Sequence, residues 1–338
     1  MKKTKKLISV FVAVLIGLTA LQFGTLISHA DTSFDSGDFR FTVVSGNSVL
    51  VSKYYGDSTD VELPATVSDR TVSGVYSGCF ENSDITSVIM PDSYTVIGSF
   101  AFSGCESLTA VHLPESLKTI GMMAFYNCGA LQNVVFSDAQ SLESIGFAAF
   151  SDCPVLSSVY LPDSVTEIGE NAFCNCSGIE SLTLSANLSE IPEYAFYGCA
   201  SLTNVTIPAS VTKIGEGAFE NCGFTNILVP DTVNQIGENA FAPDNAILCF
   251  EGSAAAEYCI ENGFEQAVII AKVLGDANLD GVVNINDVTT IQRYIAEFID
   301  FNAFQMVLAD TDCDGNVGID DATLIQMYLA EYDVVLGE

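Results

Sequence analysis

The sequence predicts a solenoid of stacked coils followed by a small helical module, and three observations carry that reading. Phenylalanine recurs at Phe80, Phe102, Phe125, Phe150, Phe173, Phe196, Phe219 and Phe241, at intervals of 22, 23, 25, 23, 23, 23 and 22 residues. A sustained period of about 20–50 residues marks units that cannot bury their apolar side alone and must stack on copies of themselves. Around these positions the pattern Ile-Gly-x-x-Ala-Phe-x-x-Cys repeats, as in Ile214 to Cys222. Composition then shifts at Leu274: residues 274–338 hold 13 acidic side chains against the single base Arg293, in two similar acidic segments that begin 34 residues apart.

The unit at residues 201–222 shows how a coil is built. Leu202 to Pro208 alternates over its second half, which predicts a short strand, and Pro208 closes it because proline has no N–H for a ladder. Val211 and Ile214 then point inward, Gly215 permits a turn, and Ala218 and Phe219 begin the return side. Leu202, Val205, Ile207, Ile214, Ala218, Phe219 and Cys222 are the repeated apolar positions, and stacking joins them into ladders of one core. Each buried phenylalanine contributes about 1.5–3 kcal/mol.

The motifs Ile120-Gly121-Met122-Met123-Ala124-Phe125 and Ile168-Gly169-Glu170-Asn171-Ala172-Phe173 resemble the core of the BspA-like (treponemal-type) leucine-rich repeat family, and the likeness spans residues 60–250. It implies short parallel strands joined by turns or short helices. Ile191-Pro192 replaces the Ile-Gly pair once, and the unit from Val75 to Phe80 is degenerate, as outer repeats commonly are.

From the N-terminus, residues 1–30 read as a signal peptide. Lys2, Lys3, Lys5 and Lys6 precede an apolar run from Leu7 to Ile27, and Ser28-His29-Ala30 supplies a small-x-small cleavage site before Asp31. The run is long enough for an uncleaved anchor, but the cleavage site favours removal and secretion. No later stretch is apolar enough to span a membrane. Residues 31–272 form the solenoid with its caps. Phe39 to Val44 and Val49 to Val51 alternate around Ser45-Gly46-Asn47-Ser48, a hairpin signal, and Asp60 to Pro64 opens the first coil. At the far end, Ala246 to Ser253 followed by Ala254 to Gly263 resembles the strand-and-helix closing segment of the repeat family. Residues 273–338 are the helical module.

Four of the 11 basic residues and none of the 43 acidic ones lie in the leader, so the mature chain carries 7 against 43, a net charge of −36. Such a surface disfavours nucleic acid and suits divalent cations. Eleven cysteines in a secreted chain first point to disulfides. Yet Cys105, Cys128, Cys153, Cys176, Cys199 and Cys222 each follow a repeat phenylalanine by three residues, with Ser83 in the same slot of the first unit. A buried ladder of small apolar thiols explains these six without redox chemistry. If any pair bridges, it is Cys249 with Cys259. No Cys/His spacing fits zinc.

Between the core positions of each strand one residue faces outward: Ile89, His112, Val135, Tyr160, Thr183, Thr206 and Leu228 in turn. Their outward neighbours are Ser87, Ala110, Asn133, Ser158, Ser181, Asn204 and Asn226. This half-apolar face fringed with amides and hydroxyls fits a glycan or protein ligand as well as it fits a plain solvated sheet. Catalysis has little support. His112 is the one histidine of the mature chain and occupies a column where other units carry Tyr or Thr. Paired carboxylates for glycoside hydrolysis would have to come from variable surface slots.

The acidic segments are informative. Asp276, Asn278, Asp280, Val282, Asn284 and Asp287 occupy positions 1, 3, 5, 7, 9 and 12 of the first, with Gly281 at 6; Asp310, Asp312, Asp314, Asn316 and Asp321 match them in the second, with Gly315 at 6 and Gly318 at 9. Oxygen ligands at this spacing, glycine at the sharp turn and a backbone carbonyl at position 7 build a calcium loop, because the ion takes about 6–8 oxygens. An acidic turn would not produce the spacing twice, so two calcium ions are expected. Each loop runs into a matching helical pattern, Val288 to Phe298 and Ala322 to Tyr332.

Two calcium loops, each followed by a helix with none leading in, resemble a type I dockerin. The resemblance implies docking onto a cohesin domain of a scaffolding protein in a cellulosome-like, polysaccharide-degrading assembly. It also implies that Ile285, Asn286, Gln292 and Arg293 of the first half, and Ile319, Asp320, Gln326 and Met327 of the second, contact the cohesin. The expectation is therefore a secreted, non-catalytic binding protein. The rival is a hydrolase or an accessory of the same assembly, since most dockerin-bearing chains carry an enzyme.

Overall fold

A computed structural model describes residues 33–136, 138–270, 273–279, 281–301, 303–332 and 334–337. The expected leader and Asp280 lie outside the described residues.

Each coil of the solenoid contributes two short strands to two columns. In the first column Asp60–Glu62, Ser87–Ile89, Ala110–His112 and Asn133–Val135 pair in parallel. Ser158–Tyr160 pairs with Ser181–Thr183, and Asn226–Leu228 with Ala246–Phe250. Successive strand side chains point to opposite faces, so the central Val88, Val111, Val134, Val159, Leu182 and Ile227 are buried while the residues either side face out. Residues 202–208 form no strand, although Leu202, Val205 and Ile207 are as buried as their counterparts. Side-chain burial holds that coil, and so short a strand forfeits only a few ladder hydrogen bonds.

The second column consists of two-residue strands, too short for the sequence pattern to announce: Val96–Ile97, Thr119–Ile120, Ser144–Ile145 and Glu167–Ile168, then Glu190–Ile191, Lys213–Ile214 and Gln235–Ile236. The glycine that follows every one of these isoleucines except Ile191 has a different purpose from the turn expected of Gly215. Its φ is not positive; a Cβ there would lie 2.5 Å from the backbone N of Glu193 in the preceding coil. Gly169 is tighter, at 2.4 Å from the Phe147 nitrogen. Glycine is kept because two backbones pass within contact of each other.

Left-handed backbone recurs at two places per coil. One is the residue before the recurring alanine (Phe100, Met123, Ala148, Asn171, Tyr194, Gly217, Asn239), the other the second residue after the phenylalanine (Asn82, Gly104, Asn127, Asp152, Asn175, Gly198, Asn221). Gly, Asn and Asp tolerate this region best, which accounts for the residues found two positions after the phenylalanine.

The expected core ladders form. Phe80, Phe102, Phe125, Phe150, Phe173, Phe196, Phe219 and Phe241 are buried and stack face to face with centroids 5.0–5.8 Å apart. From Phe80 to Phe219, each phenylalanine N–H donates to the alanine carbonyl of the next coil, as from Phe150 to Ala172 at 2.8 Å. All eleven cysteines are free thiols, and nine are buried.

Both ends are closed. Phe39–Ser45 and Ser48–Tyr54 form the expected hairpin, joined by an antiparallel strand Ser33–Ser36 that the sequence reading did not foresee. The inner hairpin strand continues in parallel into Arg70–Val75. At the other end, strand Ala246–Phe250 leads to helix Ala254–Asn262, capped by the Ser253 hydroxyl and ended by Gly263 at φ +69°. Tyr258 of that helix meets the last stacked ring, Phe241, at 6.2 Å edge-on.

The C-terminal module packs helix Ile285–Ile295 against helix Ile319–Leu329, with a linking helix Ala303–Ala309 between them in sequence. Ala277, Val288, Ile291, Ala309, Ala322 and Ile325 make its core. Among the described residues no helix is long and apolar enough to cross a membrane.

Candidate calcium loops and exposed faces

The two acidic loops fold alike, and in each the ends of the motif hold the turn. At position 1, Asp276 accepts the Gly281 N–H at 2.8 Å, as Asp310 accepts that of Gly315 at 3.0 Å. Both glycines have positive φ, +82° and +90°, which an L-residue would resist. At position 12, Asp287 is fully buried and takes the N–H groups of Asn278 (3.0 Å) and Asn284 (2.8 Å). Asp321 likewise takes the Gly318 N–H (2.7 Å), and its other close donor is Thr311 (2.6 Å), one position earlier in the loop than Asn278. Asn284 also caps its helix by accepting the Asn286 N–H, whereas Gly318 gives no side-chain cap.

In the second loop, oxygens of Asp310, Asp312 and Asp314 lie within 4.8 Å of one another. Among the described residues no lysine or arginine pairs with these three carboxylates. Three converging anions without a cationic partner repel one another, so the donor set fits a hard divalent metal ion. Burial pushes the Asp310 carboxyl above its ordinary value, with Asp321 and Asp312 adding to the rise, against the lowering hydrogen bonds from Gly315 and Asp314. The first loop offers Asp276, Asn278, Asn284 and Asp287 in the same fold. The side chains of Val282 and Asn316, at position 7, are not buried, in keeping with a role for their carbonyls only.

All eight residues carried over as cohesin contacts are exposed: Ile285, Asn286, Gln292 and Arg293 on one helix, and Ile319, Asp320, Gln326 and Met327 on the other. Ile285 and Ile319 open their helices with 59% and 62% of their surface in solvent, a large exposure for an apolar side chain. The buried sides of the same helices carry Val288 and Ile291, and Ala322 and Ile325.

On the solenoid, Ile89, His112, Tyr160, Thr183 and Thr206 are exposed and Val135 is partly so. Leu228 departs from that column. It is half-buried in an apolar cluster with Leu248, Phe250, Val307 and Leu308, so the solvent-facing column ends at Thr206. Beside His112 an open groove of about 460 Å³ runs between Met90, Asp92, Pro114, Glu115 and Asp138. A neighbouring groove of about 500 Å³ lies between Glu62, Pro64, Ile89 and Pro91.

Residues 73–177 and 139–247 match the BspA type Leucine rich repeat region in six copies. The chain belongs to that family. Residues 274–330 match the Dockerin type I domain. A leucine-rich repeat protein of T. pallidum is 30% identical and aligns over 57% of this chain and 90% of its own, with a TM-score of 0.53. A leucine rich cell surface protein of Faecalibacterium prausnitzii (24% identity, 65% and 77% coverage, TM-score 0.51) and a leucine-rich repeat protein of Bacteroides ovatus (24%, 71% and 67%, 0.51) share the solenoid fold. No curated protein matches the chain. Both matched regions belong to families of non-catalytic modules.

Proposed function

We propose that the chain is secreted, binds two calcium ions through its dockerin, and thereby fastens onto a cohesin of a cellulosome-like, polysaccharide-degrading assembly while its solenoid holds a glycan or protein ligand. The observation that carries this reading is the duplicated loop-helix geometry. Two loops organise position 1 and position 12 carboxylates on the same backbone N–H groups, and each delivers an exposed isoleucine at the start of its helix. Asp276, Asn278, Asp280, Asn284 and Asp287 with the Val282 carbonyl would hold one ion. Asp310, Asp312, Asp314 and Asp321 with the Asn316 carbonyl would hold the other, water taking the place that Gly318 leaves. The bound cation supplies charge that cancels the repulsion among these carboxylates and lets the loops close. With the loops closed, the chain's own residues do the rest: Ile285, Gln292, Ile319 and Gln326 present the docking faces, and Arg293 offers the module's one positive charge.

The leader read from Lys2 to Ala30 supports secretion. The grooves flanking Ile89 and His112, with Tyr160 exposed farther along the column, support the outward strands as the ligand face. The test is a binding assay of the full chain against a panel of immobilised type I cohesins, with calcium and with EDTA. Capture by at least one cohesin in calcium, and its loss in EDTA, is the expected result. Equal retention in both conditions would refute calcium-dependent docking.

A further inference from the structure

The outward column of the solenoid changes character at its last two coils. From the first coil it carries Glu62, Ile89, His112, Val135, Tyr160, Thr183 and Thr206, and then Leu228 and Leu248, which pair in register. On strand Ala246–Phe250, Ile247 and Cys249 point into the solenoid core, so alternation sends Leu248 and Phe250 outward. Even so, Phe250 is only 1% exposed. What covers it is the linking helix of the dockerin: Leu308, also 1% exposed, sits with Phe250 in a cluster to which Leu228, Leu248 and Val307 are added.

That helix is tied to both loops. The Leu308 carbonyl accepts the Gly275 N–H at 2.7 Å, next to Asp276 of the first loop. Gln305 donates to the Ala277 carbonyl at 2.9 Å on the other side of Asp276. Ala309 enters the dockerin core, and Asp310 of the second loop follows it directly. Leu308 therefore reaches its place only when the segments that bear both loops are folded.

We propose that the end of the solenoid is a seat for the dockerin, and that filling the seat and loading calcium are one coupled event. This rests on the calcium assignment above. Coupling of this kind is reciprocal: calcium drives Leu308 onto Phe250, and the burial of Phe250, Leu228 and Leu248 raises the calcium affinity of the dockerin. The seat lies wholly on the solenoid and includes no calcium ligand, so the effect of changing it on calcium is a distinctive signature.

The experiment titrates calcium into the full chain by calorimetry, comparing wild type with Phe250→Ala and with Leu228→Thr, which restores the residue of the preceding coil. Ile260→Ala, at an exposed position of the closing helix (72%), is the control. Both seat variants should raise the calcium midpoint at least threefold while Ile260→Ala leaves it unchanged. Leu308→Ala combined with Phe250→Ala should shift it by less than the product of the two single effects, because the residues share one contact. Circular dichroism of each calcium-free variant identifies any whose solenoid has unfolded, and Leu228→Thr, the milder change, then decides. An unaltered midpoint in Leu228→Thr with a folded solenoid overturns the seat and leaves the calcium assignment standing. Absence of calcium binding in the wild type would overturn the assignment and the coupling together.

Discussion

The thiol of Cys176 donates a hydrogen bond to the carbonyl oxygen of Phe150, one coil earlier, at 2.9 Å. The same bond joins Cys105 to Phe80, Cys128 to Phe102, Cys153 to Phe125, Cys199 to Phe173 and Cys222 to Phe196, at 3.0–3.4 Å. These cysteines are thus a second ladder beside the stacked rings, filling a small space and satisfying a carbonyl. Thiol titration of the native protein should find Cys313, which is exposed, and more slowly Cys174, which is half-buried. Unfolding without reductant should release at least six more. A solution in which unfolding releases none would show that the repeats are bridged.

Burial of Cys105 and Cys174 gives the protein an alkaline limit. Burial pushes Cys105 up to about 11 and Cys174 up to about 12, from an ordinary value of 9.0. A raised folded pKa means that the unfolded chain loses its proton first, so the unfolded state binds fewer protons above pH 9 and stability falls there as pH rises. The contribution is complete below about pH 9 and is lost progressively toward about pH 11–12. Urea midpoints should hold steady from pH 7 to 8.5 and decline from about pH 9 upward. A flat profile through pH 11 would contradict the buried-thiol ladder.

Close backbone approach makes the glycine after each second-column isoleucine sensitive. At Gly169 a methyl group would meet backbone on the preceding coil at 2.4, 2.5 and 2.7 Å, with no flexible side chain to move aside. Gly169→Ala should destabilise by about 3 kcal/mol, the upper range for overpacking a tight site. Gly129→Ala, where a methyl meets nothing within 4 Å, should be close to neutral. Thermal melts of the two variants that coincide would remove the steric explanation.

How much of this was legible in the residues depended on period. The 22–25 residue spacing announced the solenoid, and the 34-residue spacing of the acidic loops announced the dockerin module, because strict recurrence has few physical causes. The Ile-Gly strands were hidden by their length: two residues cannot show alternation. The left-handed column was readable, since Asn82, Gly104, Asn127, Asp152, Asn175, Gly198 and Asn221 share one slot, but its companion, with Phe100, Met123 and Tyr194, carries no such signature. Leu228 has the register of a solvent-facing residue, and nothing local reveals that a helix 80 residues later covers it. The pair Leu228 and Leu248, apolar in a column otherwise mixed, was the available clue.

The two faces of the dockerin set the last prediction. Ile285 corresponds to Ile319 and Gln292 to Gln326, and the helices that bear them pack through matching residues, Ile291 and Ile325. Half a turn would present a similar surface to the same cohesin; if both orientations are competent, removing one face leaves the other. Ile285→Asp alone should weaken cohesin binding by no more than about threefold, and Ile285→Asp with Ile319→Asp should abolish it, the non-additive outcome of two interchangeable sites. The faces are not identical. Arg293 stands opposite Met327 and Asn286 opposite Asp320. Tyr294 is held in a stack on Phe301 at 4.3 Å, whereas its counterpart Tyr328 is 48% exposed. An acidic cohesin therefore favours the half with Arg293, and an apolar one the half with Met327 and Tyr328. Calorimetry on the two single variants decides: if one is silent and the other fully disabling, docking is one-sided and the correspondence reflects duplication alone.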